Sequence, residues 1–414
     1  MRKAGRSSRT SEIEHGYTPT SIRQMNLEER ITRRLRRNRS RQLVRDYAAV
    51  SPVSHPPEPV AREASLERIL DALEPAFSGA LPPSTYVWGP KGAGKTALVK
   101  ATFDLLAGVS REQHRGIHTT TRTERPKTPP FVYVDARDAD SEFALLAAVL
   151  NGLLDRPAPT QGVSTGRIRE QISREIDGRD GVVVAVDHVG EPRTHDLTSV
   201  AETLATVEGT FVWIGIGRDS PDVYSTEPDQ VVEVPAFRRH AMVDVLTDRT
   251  SAGLSRNAVT HEQLRELAVW AEGDAHDALA AVFGGAVLAE RNGTDTIRPS
   301  DLDAGIDAVP CPCIALGRVL SLPKNWQRVL AALVDLPRND RTSVTKATDA
   351  LATSSGIELS AGTVRRMLYE LAEEGILDRE PAEASGSRGR PPSRIEPLFP
   401  TLVFRELYRE RTDE

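Results

Sequence analysis

The chain has 414 residues and a net charge of −6, and hydrophobic residues make up 39% of it. Its length exceeds one hydrophobic core, so two or three domains are expected. No run approaches the roughly 18 consecutive apolar residues of a membrane span, and the N-terminal MRKAGRSSRTSEIEHG lacks the apolar region of a secretory signal; no membrane partner and a cytoplasmic location are expected.

Residues 1–50 are read as a basic arm, with 13 Lys/Arg against 5 Asp/Glu. The arginines at 33, 34, 36, 37, 39, 41 and 45 cover more than one helix face. A solvated tail and a phosphate-binding arm both fit them. The Pro-rich SPVSHPPEP (51–59) then breaks the pattern and marks a boundary.

Residues 51–235 alternate helical and apolar segments, as in a parallel sheet covered by helices. Strands are predicted at 84–89, 130–136, 181–187, 210–216 and 231–235, each apolar enough to be buried on both faces. The polar stretch 110–130 reads as a mobile surface insertion. Between the first strand and a helix lies GPKGAGKT, Gly89 to Thr96. This is the P-loop spacing: glycines let the backbone curl around phosphate oxygens, Lys95 reaches the β/γ-phosphates and Thr96 ligates Mg²⁺. Gly89, Pro90, Lys91, Gly92, Ala93, Gly94, Lys95, Thr96 and Ala97 are therefore the nucleotide-binding candidates, with ATP or ADP and Mg²⁺ as cofactors. Asp187 ends the third strand, where an aspartate would hold Mg²⁺ with Thr96. His188 follows it, where most such ATPases have a glutamate that polarises the attacking water. His188 and Glu191 are the candidate replacements, and the competing reading makes both ordinary loop residues with slow or absent hydrolysis.

Helical patterns at about 238–252, 260–271, 274–291 and 299–307 predict a small helical lid domain over 236–308. Cys311 and Cys313, with no second cysteine pair, read as reduced thiols rather than metal ligands. Over 309–414, a helix after residue 322 with Trp326, Val329, Leu330 and Leu333 on one face, then helices near 343–353 and at 361–374, followed by two short strands, predict a winged helix. In its third helix Val364, Met367, Leu368 and Leu371 form the buried stripe, leaving Arg365, Arg366 and Tyr369 outward as a recognition face. Arg388, Arg390 and Arg394 sit in the wing, suited to phosphate or minor-groove contact. Solvated arginines are the plainer alternative. The expected fold class is α/β: a five-stranded P-loop core, a helical lid and a C-terminal winged helix.

The order of these parts resembles the archaeal replication initiators of the origin-recognition and cell-division-control type, AAA+ ATPases with a C-terminal winged helix. The likeness covers about residues 42–400. PVAREASLERI (59–69) is similar to the family's segment near the adenine and carries Arg62; FVYVDARDADSEFALLAAVLNGL (131–153) resembles its second strand and following helix. WIGIGRD (213–219) resembles its sensor-1 strand and AEGDAHDALAAV (271–282) its sensor-2 helix. Where the family has a sensor-1 Asn this chain has Arg218, and where it has a sensor-2 Arg it has His276. The resemblance implies an ATP-controlled initiator that binds double-stranded origin DNA, associates with the nucleoid, self-associates on DNA and helps load a replicative helicase. The departures imply ATP held as a switch with weakened or lost turnover. Two alternatives remain: a divergent paralogue acting in transcriptional or mobile-element control, and a signalling P-loop ATPase, disfavoured because no internal repeat follows.

Overall fold

The computed structural model describes residues 42–115, 128–159, 162–354, 356–381 and 393–413. The basic arm up to residue 41 lies outside them. Leu43 and Val44 are already buried, and Val44 bridges Leu254. A single turn, α1 (Tyr47–Val50), follows, with the Asp46 carboxylate accepting from the Ala48 and Ala49 N–H groups. The boundary expected at residue 50 therefore moves to about 42, because apolar side chains in the expected arm pack into the lid core.

The α/β core comprises α2 (Glu63–Phe77), β1 (Thr85–Trp88), α3 (Lys95–Arg115), β2 (Phe131–Asp135), α4 (Glu142–Leu153), α5 (Thr165–Ile176), β3 (Val182–Val189), α6 (Leu197–Ala205), β4 (Phe211–Gly217) and β5 (Gln230–Glu233). The strands pair in the order β2-β3-β4-β1-β5, all parallel. In β3, an interior strand, seven of eight residues are buried, the signature of a strand covered on both faces. Ser141, Ser164 and Asp196 accept from backbone N–H groups at the starts of α4, α5 and α6, satisfying donors that the first turn leaves orphaned. Helix α3 runs on to Arg115, so the start of the expected insertion is helical; residues 116–127 lie outside the described ones.

The lid comprises α7 (Arg239–Gly253), α8 (His261–Trp270), α9 (Ala275–Arg291) and α10 (Pro299–Asp307). Helix α9 is its centre, buried along nearly all its length. A short α11 (Leu316–Leu320) leads into α12 (Lys324–Asp335), α13 (Val344–Ala352) and α14 (Ala361–Glu373), then an antiparallel pair, β6 (Leu377–Pro381) and β7 (Ser393–Pro397). Three helices and a hairpin stand in the order expected of a winged helix. Ser360 caps α14 and Gly375, at φ +68°, ends it. A final helix, α15 (Thr401–Asp413), was not anticipated. It buries Val403 and Phe404 and returns to the lid, where Arg291 meets Glu406 at 2.9 Å.

Candidate functional site

The strand β1 delivers the P-loop to the sheet's carboxyl edge, and α3 starts at Lys95, pointing its N-terminal N–H groups into the loop. Two glycines are obligatory. A Cβ on Gly89 would lie 2.1 Å from the Val234 carbonyl oxygen, and one on Gly92, at φ +71°, would lie 1.9 Å from Asp274 Oδ1. Lys95 is 8% exposed and its ammonium donates to the carbonyl oxygens of Gly89 (2.7 Å) and Pro90 (2.8 Å). Burial, aided by the Arg218 charge, lowers its pKa to about 8. Gly92, Ala93, Gly94, Thr96 and Ala97 line the cavity beside Lys95, whereas Gly89 and Pro90 hold the lysine from behind.

Asp187 is 1% exposed. Tyr133 donates to its Oδ2 at 2.8 Å and the His188 N–H to its Oδ1 at 2.7 Å. Burial opposes its ionisation, but the His188 imidazole and hydrogen bonds from Thr96 and Tyr133 hold the carboxyl below its usual range. The strand irregularity after Asp187 puts His188 at φ +62°, a backbone region non-glycine residues rarely adopt. Its ring lies among three carboxylates: Glu191 at 3.4 Å, Asp187 at 3.7 Å and Asp135 at 3.9 Å. Burial disfavours the charged ring, yet Asp187 and Glu191 outweigh it and raise its pKa. Glu191 receives Arg218 at 2.8 Å. Against the effect of burial, His188 and Arg218 hold its carboxyl at about 2. Arg218 therefore lines the cavity already paired to Glu191 rather than as an uncommitted cation.

The lid approaches from the opposite side. Lys91 lines the cavity too, but its ammonium is paired with Asp274 (2.7 Å) and Asp277 (2.5 Å) at the start of α9. The backbone adds a bond from Ala275 N–H to the Gly92 carbonyl at 3.2 Å. His276, expected as a sensor, is buried. Its Nε2 accepts the Leu316 N–H at 2.9 Å and its Nδ1 faces Asp277 Oδ1 at 2.8 Å. Burial lowers its pKa, so the ring is neutral near pH 7.

Beside Gly94 of the P-loop, Arg62 stacks on Phe237, its guanidinium carbon 3.4 Å from the ring centroid. It is 8% exposed, and its Nε and one terminal nitrogen have no hydrogen-bond partner, an arrangement that suits an anionic or polar ligand. The segment around Pro52, His55 and Pro59, expected only to mark a boundary, forms one wall of this cavity. Arg249, given no role from the sequence, holds that wall: its guanidinium donates to the Ala49 carbonyl and, at 2.8 Å, to the Ser51 carbonyl. No sequence signal marked this, because the partners are backbone oxygens about 200 residues away.

In the C-terminal unit Arg365, Arg366 and Tyr369 are exposed on α14 while Val364, Met367, Leu368 and Leu371 are buried. Arg379 from the hairpin stacks on Tyr369 at 4.7 Å. Arg366 is 3.6 Å from Glu370, and Arg394 pairs with Glu396. Arg388 and Arg390 lie outside the described residues.

A family model of the AAA ATPase domain matches residues 58–214. The curated ORC1-type DNA replication protein 1 of Sulfolobus acidocaldarius is 24% identical over 260 residues, 58% of this chain and 61% of that protein. This chain thus spans less than two thirds of that relative. ORC1-type DNA replication protein 6 of Halobacterium salinarum is 25% identical over 347 residues, 80% of this chain and 86% of its own length. Among solved structures, the Aeropyrum pernix ORC1 protein in complex with DNA shares the fold with a TM-score of 0.57 at 19% identity, covering 90% of this chain and 98% of that one. The Aeropyrum pernix ORC2 protein in ADPNP-ADP complexes gives 0.51 at 16% identity, covering 90% and 100%. In fold, order of elements and relatives the chain is similar to archaeal ORC1-type replication proteins, and its residues 58–214 match the AAA ATPase domain.

Proposed function

We propose that this chain is an ATP-binding, DNA-binding replication initiator that uses ATP as a conformational switch and hydrolyses it slowly or not at all. The observation that carries this reading is the complete phosphate cradle opening onto a cavity lined by core, lid and the start of the C-terminal unit. ATP or ADP would lie against Gly92 to Thr96, Lys95 included, with Arg62 beside Gly94 also lining the cavity. Thr96 and Asp187 offer the hard oxygen donors that Mg²⁺ prefers. When bound, Mg²⁺ would neutralise phosphate charge. Slow turnover follows from the neighbours: Glu191 is engaged by both His188 and Arg218, and His276 is turned to the connector.

Duplex binding would use Arg365, Arg366 and Tyr369 on α14 with Arg388, Arg390 and Arg394 of the wing. The ORC1-type relatives are replication proteins and the Aeropyrum ORC1 structure holds DNA, which supports origin DNA as the partner. Helicase loading and self-association on DNA belong to the same proposal, as does a nucleoid location. The occupied sensor positions also favour a second reading, a paralogue that has moved to transcriptional or mobile-element control. Genome-wide mapping of bound DNA in the native cell separates them. Peaks at replication origins are expected; peaks confined to promoters or element ends would replace the initiator reading with the second.

A further inference from the structure

His276 stands where the family resemblance puts a charged sensor, yet both ring nitrogens are committed elsewhere. The Leu316 N–H is the first donor of α11, one of the orphan groups every helix start leaves, and Leu316 is fully buried. Its acceptor is His276 Nε2 at 2.9 Å, so that nitrogen is unprotonated and the proton sits on Nδ1, facing Asp277. Asp277 in turn grips Lys91 of the P-loop. Lys91, Asp277, His276 and the Leu316 amide thus form an unbroken line of polar contacts from the phosphate cradle to the start of α11.

The chain around Leu316 is held from the core side as well. Ala315 and Gly317 line the nucleotide cavity. A Cβ on Gly317 would lie 2.4 Å from an Arg137 terminal nitrogen, and that guanidinium clasps Asp135, the β-sheet neighbour of Asp187. One residue further on, Arg318 donates to the Glu374 carbonyl at the C-cap of α14, the helix whose outer face carries Arg365 and Arg366. A shift at Leu316 therefore alters the cavity wall at one end and the seating of α14 at the other.

We propose that His276 is a positioning residue that fixes the start of α11 as part of the nucleotide cavity's wall and thereby couples nucleotide occupancy to duplex binding. The proposal rests on the nucleotide- and DNA-binding reading above and names the joint through which the two sites act on each other. Coupling of this kind is reciprocal: ATP changes duplex affinity by the same factor as duplex changes ATP affinity.

The test measures that factor on the full chain, from duplex affinity with and without saturating Mg-ATP, in the wild type and in two substitutions. In His276→Asn the amide matches the Nδ1 position and keeps a contact to Asp277 but leaves the Leu316 N–H without an acceptor. In His276→Gln the longer side chain carries an oxygen to the Nε2 position. The wild type is expected to show a factor of about fivefold or more, the low end for coupled sites. His276→Asn should bring it to within about twofold of one, and His276→Gln should retain most of it. Amide hydrogen exchange over 316–320, measured on the protein alone, should quicken in the Asn variant and not in the Gln variant. A wild-type factor of one, an unchanged factor in His276→Asn, or identical behaviour of the two variants overturns the proposal. Failure of ATP or duplex to bind singly counts instead against the functional reading itself, whereas lost coupling with both still binding assigns the role to His276.

Discussion

The two sides of the nucleotide cavity are built on opposite terms. On the P-loop side the groups that would meet phosphate are backbone N–H groups and Lys95, and Lys95 is parked on two carbonyls of its own loop. A phosphate oxygen can replace those carbonyls without breaking any other contact. On the sensor side the polar groups are already committed to protein partners: Arg218 to Glu191, His188 among three carboxylates, and the neutral His276 between Asp277 and the Leu316 amide. Recruiting any of them to a γ-phosphate would leave a buried partner unsatisfied, at roughly 1–3 kcal/mol or more for a charged group. The comparison teaches that holding a nucleotide and cleaving it are separable in this fold. The first is a property of one contiguous loop; the second needs several elements to leave their charges free.

The sharpest break of that comparison is Lys95→Ala. It removes a charge-assisted contact worth roughly 3 kcal/mol, so ATP affinity should fall by about a hundredfold or more in calorimetry; unchanged affinity would sink the P-loop assignment. On the sensor side, steady-state turnover should stay well below about one per second, the low end of ordinary enzymes. Glu191→Gln should change that slow rate by less than about threefold, since the carboxylate is not free to act as a base. A wild-type rate at or above about one per second, abolished by the same substitution, would show that the Arg218–Glu191 pair opens in the working complex.

Replacing Arg365, Arg366, Arg388 and Arg390 together by Ala should lower the slope of log affinity against log salt for duplex by up to about 3–4. An unaltered slope would take this face out of the interface. The smallest expected effect is on pH. Because burial and Arg218 depress the Lys95 pKa to about 8, the free protein loses that charge as pH rises through about 8. Phosphate binding restores it, so ATP binding above pH 8 should take up nearly one proton and weaken by up to about tenfold per pH unit. Glu191, held at about 2, contributes nothing between pH 5 and 9. Calorimetry in two buffers of different ionisation enthalpy measures the uptake; none at pH 9 would mean that Lys95 keeps its charge in the empty site.

Much of this was legible in the amino-acid order. Strands β1 to β4, the four lid helices and the α14 stripe follow from the apolar pattern that burial selects; β5, expected to be buried on both faces, is instead an edge strand with three of its four residues exposed. The P-loop is legible because its chemistry is backbone chemistry, dictated by glycines a few residues apart. Helix α15 was missed because its charged residues outnumber the few apolar ones that seat it against the lid.

What only the tertiary structure decided is how the long polar side chains are spent. Lys91 falls within the P-loop spacing, yet its ammonium pairs with the lid; His276 falls at the sensor position, yet it caps a helix 40 residues away; Arg249 supports a cavity wall some 200 residues upstream. The physical reason is range. Backbone conformation is settled by neighbours within a turn or two, whereas a buried charge takes whatever partner the fold brings within about 3 Å, and no local pattern encodes that partner. By itself the sequence determined that a phosphate cradle exists here, and the packing of core, lid and C-terminal unit decided which charges remain to serve it.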